Sequence, residues 1–301
     1  ILMITIFMVL ISASDLFAKT ITDKKGREIV IDKPYSRIIS LYGAHTENLF
    51  YLGCQKQIIG VSVNDTYPED VYKKATFSYH DGPEKFIAFN PDLVLIRPMI
   101  DNGYSKLVQR LEKSGITVVS LQPSSIDKMY DYWLTLGKLT GHQEPAEQMV
   151  QDFKRKIEII SDFTKEISPK KRVYFEAIHT RMKTFTKDAM PIFALKTAGG
   201  INVADDARAS RNTNIAIYGK EQILSKASAI DVFLAQKGVM NAVTIDQIKK
   251  EPGFKVIKAV KLNQIYLIDE NIVSRPVPRL YEGVITIGRL LYPDIFTKET
   301  Y

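Results

Sequence analysis

Between Glu144 and Ile167 the chain carries one uninterrupted helical stripe, and no other stretch limits its folding as strongly. Ala146, Met149, Val150, Phe153, Ile157, Ile160, Phe163 and Ile167 recur mostly three or four positions apart, which puts them on one face of a helix. Glu144 and Glu147 lie in the first turns and Lys154, Arg155 and Lys156 follow, the order a helix dipole favours. Pro145 suits a first helical turn, and Ser168-Pro169 ends the run. At 1.5 Å per residue such a rod is roughly 35 Å long, about the width of a small domain. A rod of that length joins two bodies. The expected layout is a segment 1–18 for export, an α/β lobe over 19–142, a bridging helix over 143–168 and a second α/β lobe over 169–301.

On both sides of the rod, short β-rich runs alternate with helical ones. Residues 20–31 read as a β-hairpin turning at Lys24-Lys25-Gly26. Strands follow at 37–41, 58–63, 92–96 and 117–121, with helices at 46–52, 85–89, 105–114 and 126–139 between and after them. After the rod come strands at 172–177, 231–235 and 264–268, and helices at 191–198, 221–226, 245–250 and 278–291. Residues 205–218 show no period and read as a loop. Strands that are nearly continuous apolar runs, separated by helices, indicate mainly parallel sheets covered on both faces.

Composition removes several function classes. The net charge is +7, but the lysines are dispersed, and no basic helix or aromatic-basic strand accompanies them, so nucleic acid is not the expected partner. Residues 1–14 form an apolar run too short to span a bilayer; with cleavage expected after Ser14 or Ala18, it reads as a secretory signal that lacks its basic start. No Cys stands near that run, which argues against a lipid anchor. The single Cys54 follows an apolar Leu52-Gly53 and reads as a buried thiol. Export without disulfides fits a bacterial periplasm. There is no GxSxG, HExxH, CxxC, GxxxxGK or GxGxxG, and the four histidines show no metal-ligand spacing. Neither an enzyme nor a resident metal or cofactor is expected.

In parallel α/β sheets, ligands sit beyond the carboxyl ends of the strands. Those ends select Tyr42, His45, Asn64, Tyr67, Arg97, Met99 and Gln122 in the first half. In the second they select His179, Arg181, Gln236, Asn241, Glu270 and Arg275. His80, beside Tyr79, reads as surface or cleft rim. Arginine offers planar charge, and tyrosine and histidine offer rings, hydrogen bonds or a metal ligand. The set suits an anionic, aromatic or metal-chelating small molecule held between facing lobes.

Three stretches in this order resemble one known family. They are Arg37-Ile38-Ile39-Ser40 leading to Thr46-Glu47-Asn48-Leu49; Pro83-Glu84-Lys85-Phe86-Ile87-Ala88-Phe89-Asn90-Pro91-Asp92; and Ser274-Arg275-Pro276 through Arg279-Leu280-Tyr281-Glu282-Gly283. With the rod and two lobes, they are similar to the class III periplasmic binding proteins of ABC importers for ferric siderophores, haem and vitamin B12. The resemblance implies a monomer that delivers a metal chelate to an ABC permease dimer in the inner membrane. It implies docking through one glutamate on each lobe, which motif match places at Glu84 and Glu221. It implies small lobe motion on binding. Members that take anionic iron chelates use clustered arginines, a role open to Arg97, Arg181, Arg208, Arg211 and Arg275. Haem binders use a ring ligand, open to Tyr67, Tyr79, His80 or His179. A ferric siderophore is the first expectation, then haem, then vitamin B12 or a nickel chelate. The rivals are a secreted α/β enzyme and a ligand-sensing adaptor.

Overall fold

A computed structural model describes residues 19–209 and 213–297. The chain opens with an antiparallel hairpin, β1 (Lys19–Thr22) and β2 (Glu28–Ile31). Asp23 and Arg27 close its turn through a hydrogen bond of 2.9 Å, and Arg27 also pairs with Asp101 at 2.7 Å. The first lobe continues through β3 (Ile38–Ser40), α1 (Gly43–Tyr51), β4 (Ile58–Ser62), β5 (Ala75–Phe77), α2 (Pro83–Ala88) and β6 (Leu93–Ile96). It ends with α3 (Pro98–Gly103), α4 (Ser105–Lys113), β7 (Thr117–Ser120) and α5 (Ile126–Thr140). Its sheet runs β5-β4-β3-β6-β7, and every pairing is parallel. All four residues of β6 are buried, as its unbroken apolar run requires in a sheet covered on both faces.

The rod is α6 (Gln143–Lys165), 23 residues long, starting one residue before the expected stripe and stopping two before its end. Its buried face is Ala146, Val150, Phe153, Ile157, Ile160 and Thr164. Met149 and Ile167 pack at the margin of the core. Phe153 meets Trp133 of α5 edge-on at 5.3 Å. The tight α5–α6 corner depends on Gly137, where a Cβ would stand 2.6 Å from that of Ala146.

The second lobe holds β8 (Arg172–Ile178), β9 (Lys183–Phe185), α7 (Met190–Thr197), β10 (Ile201–Asn202), β11 (Ile215–Ile217), α8 (Lys220–Ser225) and β12 (Val232–Lys237). It closes with α9 (Ile245–Lys250), α10 (Lys258–Lys261), β13 (Ile265–Asp269), α11 (Glu270–Val273) and α12 (Leu280–Leu291). Its sheet order is β11-β9-β8-β12-β13, with β10 added beside β8. Pairings of β8, β12 and β13 are parallel, whereas β9 and β11 run antiparallel. The expected loop over 205–218 therefore contains a strand. Only Ala216 of β11 is fully buried, and three residues on a sheet edge are too few to print a period. Every strand of the first sheet precedes α6 and every strand of the second follows it, so one helix links the two sheets.

Candidate functional site

The carboxyl ends of the two sheets meet at a seam made by residues 274–279. Asn48 Nδ2 in α1 and Trp133 Nε1 in α5 each donate to the Pro276 carbonyl at 3.0 Å. Arg279 holds Glu47 of α1 in a two-pronged ion pair at 2.6 and 2.7 Å. Glu47 is fully buried; burial pushes its carboxyl above the ordinary range, and the guanidinium offsets only part of that. Arg279 also stacks on the Tyr67 ring, with its guanidinium carbon 3.7 Å from the centroid. A desolvated charge pair of this geometry is strong only while both partners remain.

Beside the seam lies a cationic corner. Tyr42 follows β3 and is half-buried, and the Arg97 guanidinium, after β6, lies 5.1 Å from its ring centroid. Arg275 reaches across from the other lobe to the backbone of Gly43. Among the described residues neither arginine has a carboxylate partner, and Nη1 of Arg275 is buried without a hydrogen bond. The phenol of Tyr42 feels both cations, yet burial outweighs them and raises its pKa. Nearby carboxylates are engaged elsewhere. Asp65 accepts from Thr46 and from the Ser62 amide at 2.5 and 3.2 Å, leaving its second oxygen unpartnered, and burial pushes it up to about 6. Glu270 accepts from the amides of Val239 and Met240 at 3.0 and 3.4 Å.

His45 is a correction. Its expected place was the cleft wall, but the side chain turns into the lobe and is wholly buried. Nε2 stands 2.9 Å from the Ile96 carbonyl, which can only accept, so Nε2 carries the proton and Nδ1 accepts from the Tyr132 hydroxyl at 2.6 Å. Burial lowers its pKa to about 4, and it is a neutral core imidazole.

His179 has the opposite surroundings. Its Nδ1 donates to the buried Glu176 at 3.0 Å, and Nε2 is 3.6 Å from Glu251, which in turn pairs with Lys220 of α8. The Glu176 contact raises the His179 pKa, while burial raises that of Glu176. Asn241 accepts from the His179 amide at 3.0 Å and donates to the Gln236 carbonyl at 2.8 Å, and Ser274 donates to Gln236 Oε1 at 2.6 Å. This ring sits within a polar net that fixes the strand ends. Tyr79, His80 and Tyr104 form a separate aromatic group on the first lobe, with centroids 4.5 to 5.1 Å apart.

Arg181 and Arg208 are exposed, and Arg211 lies outside the described residues. Glu84 and Glu221 are both exposed in the first turns of the short helices α2 and α8, one on each lobe. Among the described residues, no group of three or more His, Cys, Asp and Glu side chains is placed to hold a metal ion. Sequence reasoning does not single out Asp65 as a site residue, nor the Glu47–Arg279 pair. The one available signal was the polar run Thr46-Glu47-Asn48 inside a helix whose residues 43–50 are all buried.

A family model described as periplasmic binding protein matches residues 38–272. An uncharacterized ABC transporter substrate-binding lipoprotein, YvrC, of Bacillus subtilis is 28% identical over 300 residues, which cover 95% of this chain and 89% of that protein. A cobalamin-binding protein of Halobacterium salinarum is 23% identical over 92% of this chain and 74% of its own. The crystal structure of a possible iron-binding, periplasmic solute-binding protein from Staphylococcus epidermidis superposes with a TM-score of 0.74 and 31% identity. It covers 86% of this chain and 100% of that one.

Proposed function

The chain belongs to the periplasmic binding protein family of ABC importers, and from that premise we propose that it captures an anionic metal chelate, foremost a ferric siderophore, between its lobes. Its relatives are substrate-binding transport proteins, which implies a small-molecule ligand and a membrane permease as partner. Among the described residues no helix is long and apolar enough to cross a membrane.

One observation carries the ligand class: Arg97 and Arg275, from opposite lobes, flank Tyr42 without a carboxylate partner. A partly desolvated guanidinium without a paired counter-charge is costly, and a bound anion relieves that cost. Planar guanidiniums pair in two-pronged fashion with carboxylates and catecholates, and the Tyr42 ring adds an apolar edge. A corrinoid is the second reading. The half-buried Tyr79 and exposed Tyr67 and Met99 at the first lobe's strand ends offer aromatic and thioether contact, and the Halobacterium relative is a cobalamin-binding protein.

Delivery uses Glu84 and Glu221, which stand exposed on separate lobes and face arginines of the two permease subunits. The seam around Pro276 ties the lobes, so capture proceeds with small lobe movement rather than hinge closure. A thermal-shift screen against ferric catecholate and hydroxamate complexes, haem, cobalamin and nickel-histidine tests the ligand. At a hundredfold excess over Kd a true ligand adds about 2.7 kcal/mol of stability. Stabilisation by cobalamin alone would replace the first reading with the second. Glu84→Ala and Glu221→Ala should each abolish uptake while ligand affinity stays unchanged, and a fall in affinity would remove the docking role.

A further inference from the structure

Resting on the reading of the cleft as an anion-holding site, we infer that Gly43 determines specificity: its missing side chain is what seats Arg275 of the far lobe against the start of α1. Gly43 opens α1, is buried, and has no positive φ, so its backbone places no demand for glycine. Alanine has the higher helix propensity. Space is the reason for glycine here. A Cβ at this position would stand 2.6 Å from Nη1, 2.9 Å from Cζ and 3.1 Å from Nη2 of Arg275. Two of these separations are below 3.0 Å, a distance that real Cβ atoms essentially never show. The guanidinium is the far end of a flexible side chain, so any larger residue at position 43 expels it rather than deforming the helix.

The seat is electrostatically incomplete. A cation at a helix N-terminus faces the positive end of the dipole. The first turn of α1 has no acidic residue, and its N-cap Tyr42 makes no side-chain cap. Arg97, on the other side of Tyr42, adds a second cation. Glu47 is committed to Arg279 and Glu270 to the amides of Val239 and Met240; Asp65, held by Thr46 and Ser62, keeps one oxygen unpartnered, and both Asp65 and Glu47 feel the Arg275 charge without pairing with it. What the half-buried Arg275 guanidinium lacks is a direct counter-charge: its Nη1 is sealed against Gly43 without a hydrogen bond, and an anion at the remainder of the group supplies the pairing. Gly43 is thus a positioning residue that acts through Arg275, and together they favour anionic chelates over neutral ones.

The test uses the mature chain, the variants Gly43→Ala, Arg275→Ala and the pair combined, and two probes. One probe is a strongly anionic tris-catecholate ferric complex, the other an uncharged tris-hydroxamate ferric complex. Gly43→Ala should weaken the catecholate complex by roughly tenfold to a hundredfold, the worth of one charged hydrogen-bonding contact, and leave the hydroxamate complex nearly unaffected. Arg275→Ala should do the same, and the double variant should be no worse than either. Retained selectivity in Gly43→Ala, or losses that add in the double variant, would overturn the inference. If the unaltered chain binds neither complex, the chelate reading falls. A ligand-free crystal structure of Gly43→Ala then still decides the positioning: a displaced guanidinium supports it, and an unmoved one ends it.

Discussion

His45 and His179 stand just past the first strand of their respective sheets, and their fates are opposite. In the first lobe the imidazole turns inward, meets a carbonyl and a phenol, and is held neutral with its pKa lowered to about 4. In the second lobe it meets two carboxylates, and its pKa is raised. Equivalent topology therefore does not assign chemistry. What a strand end presents depends on which groups the neighbouring elements bring to it: α5 supplies Tyr132, whereas the turn after α9 supplies Glu251. The sheets differ in the same way. The first is wholly parallel, while the second gives up parallel pairing on the β9–β11 side, and β9 follows directly on the turn that carries His179.

The contrast can be broken most forcefully at the seam that joins the two lobes. Glu47→Ala leaves Arg279 as a largely buried charge without its partner and should lower stability by about 3–5 kcal/mol in calorimetry. A loss below about 1 kcal/mol would mean that the lobes hold together without this pair.

Next comes acid. Unfolded His45 takes up a proton near the ordinary imidazole value of 6.5 and the folded one only at about 4, so stability is full above 6.5 and falls as pH drops through that window. The shift corresponds to about 3 kcal/mol, read from denaturant midpoints at several pH values. His45→Gln should be less stable at neutral pH but should lose the acid-side slope. An unchanged slope would place the titration elsewhere.

His179 should act in the opposite direction. Its raised pKa stabilises the fold fully below 6.5, and the contribution fades as pH climbs through the folded value. His179→Gln should remove about 1 kcal/mol at pH 6 and progressively less under alkaline conditions, again by denaturant midpoint. The smallest effect belongs to Arg110→Ala. The Arg110–Glu84 pair is 3.8 Å apart and exposed on both sides, so stability should move by less than about 0.5 kcal/mol. A larger loss would give Glu84 a structural duty besides the docking proposed for it.

Much of this was legible along the chain. The stripe from Ala146 to Ile160 marked α6 because three- and four-residue spacing survives any packing partner. The unbroken run Leu93–Ile96 marked a strand covered on both faces. Tyr42, Arg97 and Arg275 were placed at strand ends by counting alone, and the structure brings these three together. His45 was misassigned because periodicity over the nine residues of α1 does not say which way a polar side chain turns when all of residues 43–50 are buried. Glu47 and Arg279 are 232 positions apart, and no local pattern couples them. Nothing local singles out Gly43, since the guanidinium it accommodates arrives from position 275.

By itself the sequence determined the rod and the main strands and helices of the two α/β lobes, since these follow from short-range periodicity and from Pro and Gly punctuation, whereas short strands such as β5, β9 and β11 left no such mark. Tertiary structure alone decided which histidine is neutral, which arginines stay without a carboxylate and where the lobes are tied. Those are properties of long-range neighbours, and charge and desolvation depend on what stands within a few ångströms in space rather than along the chain.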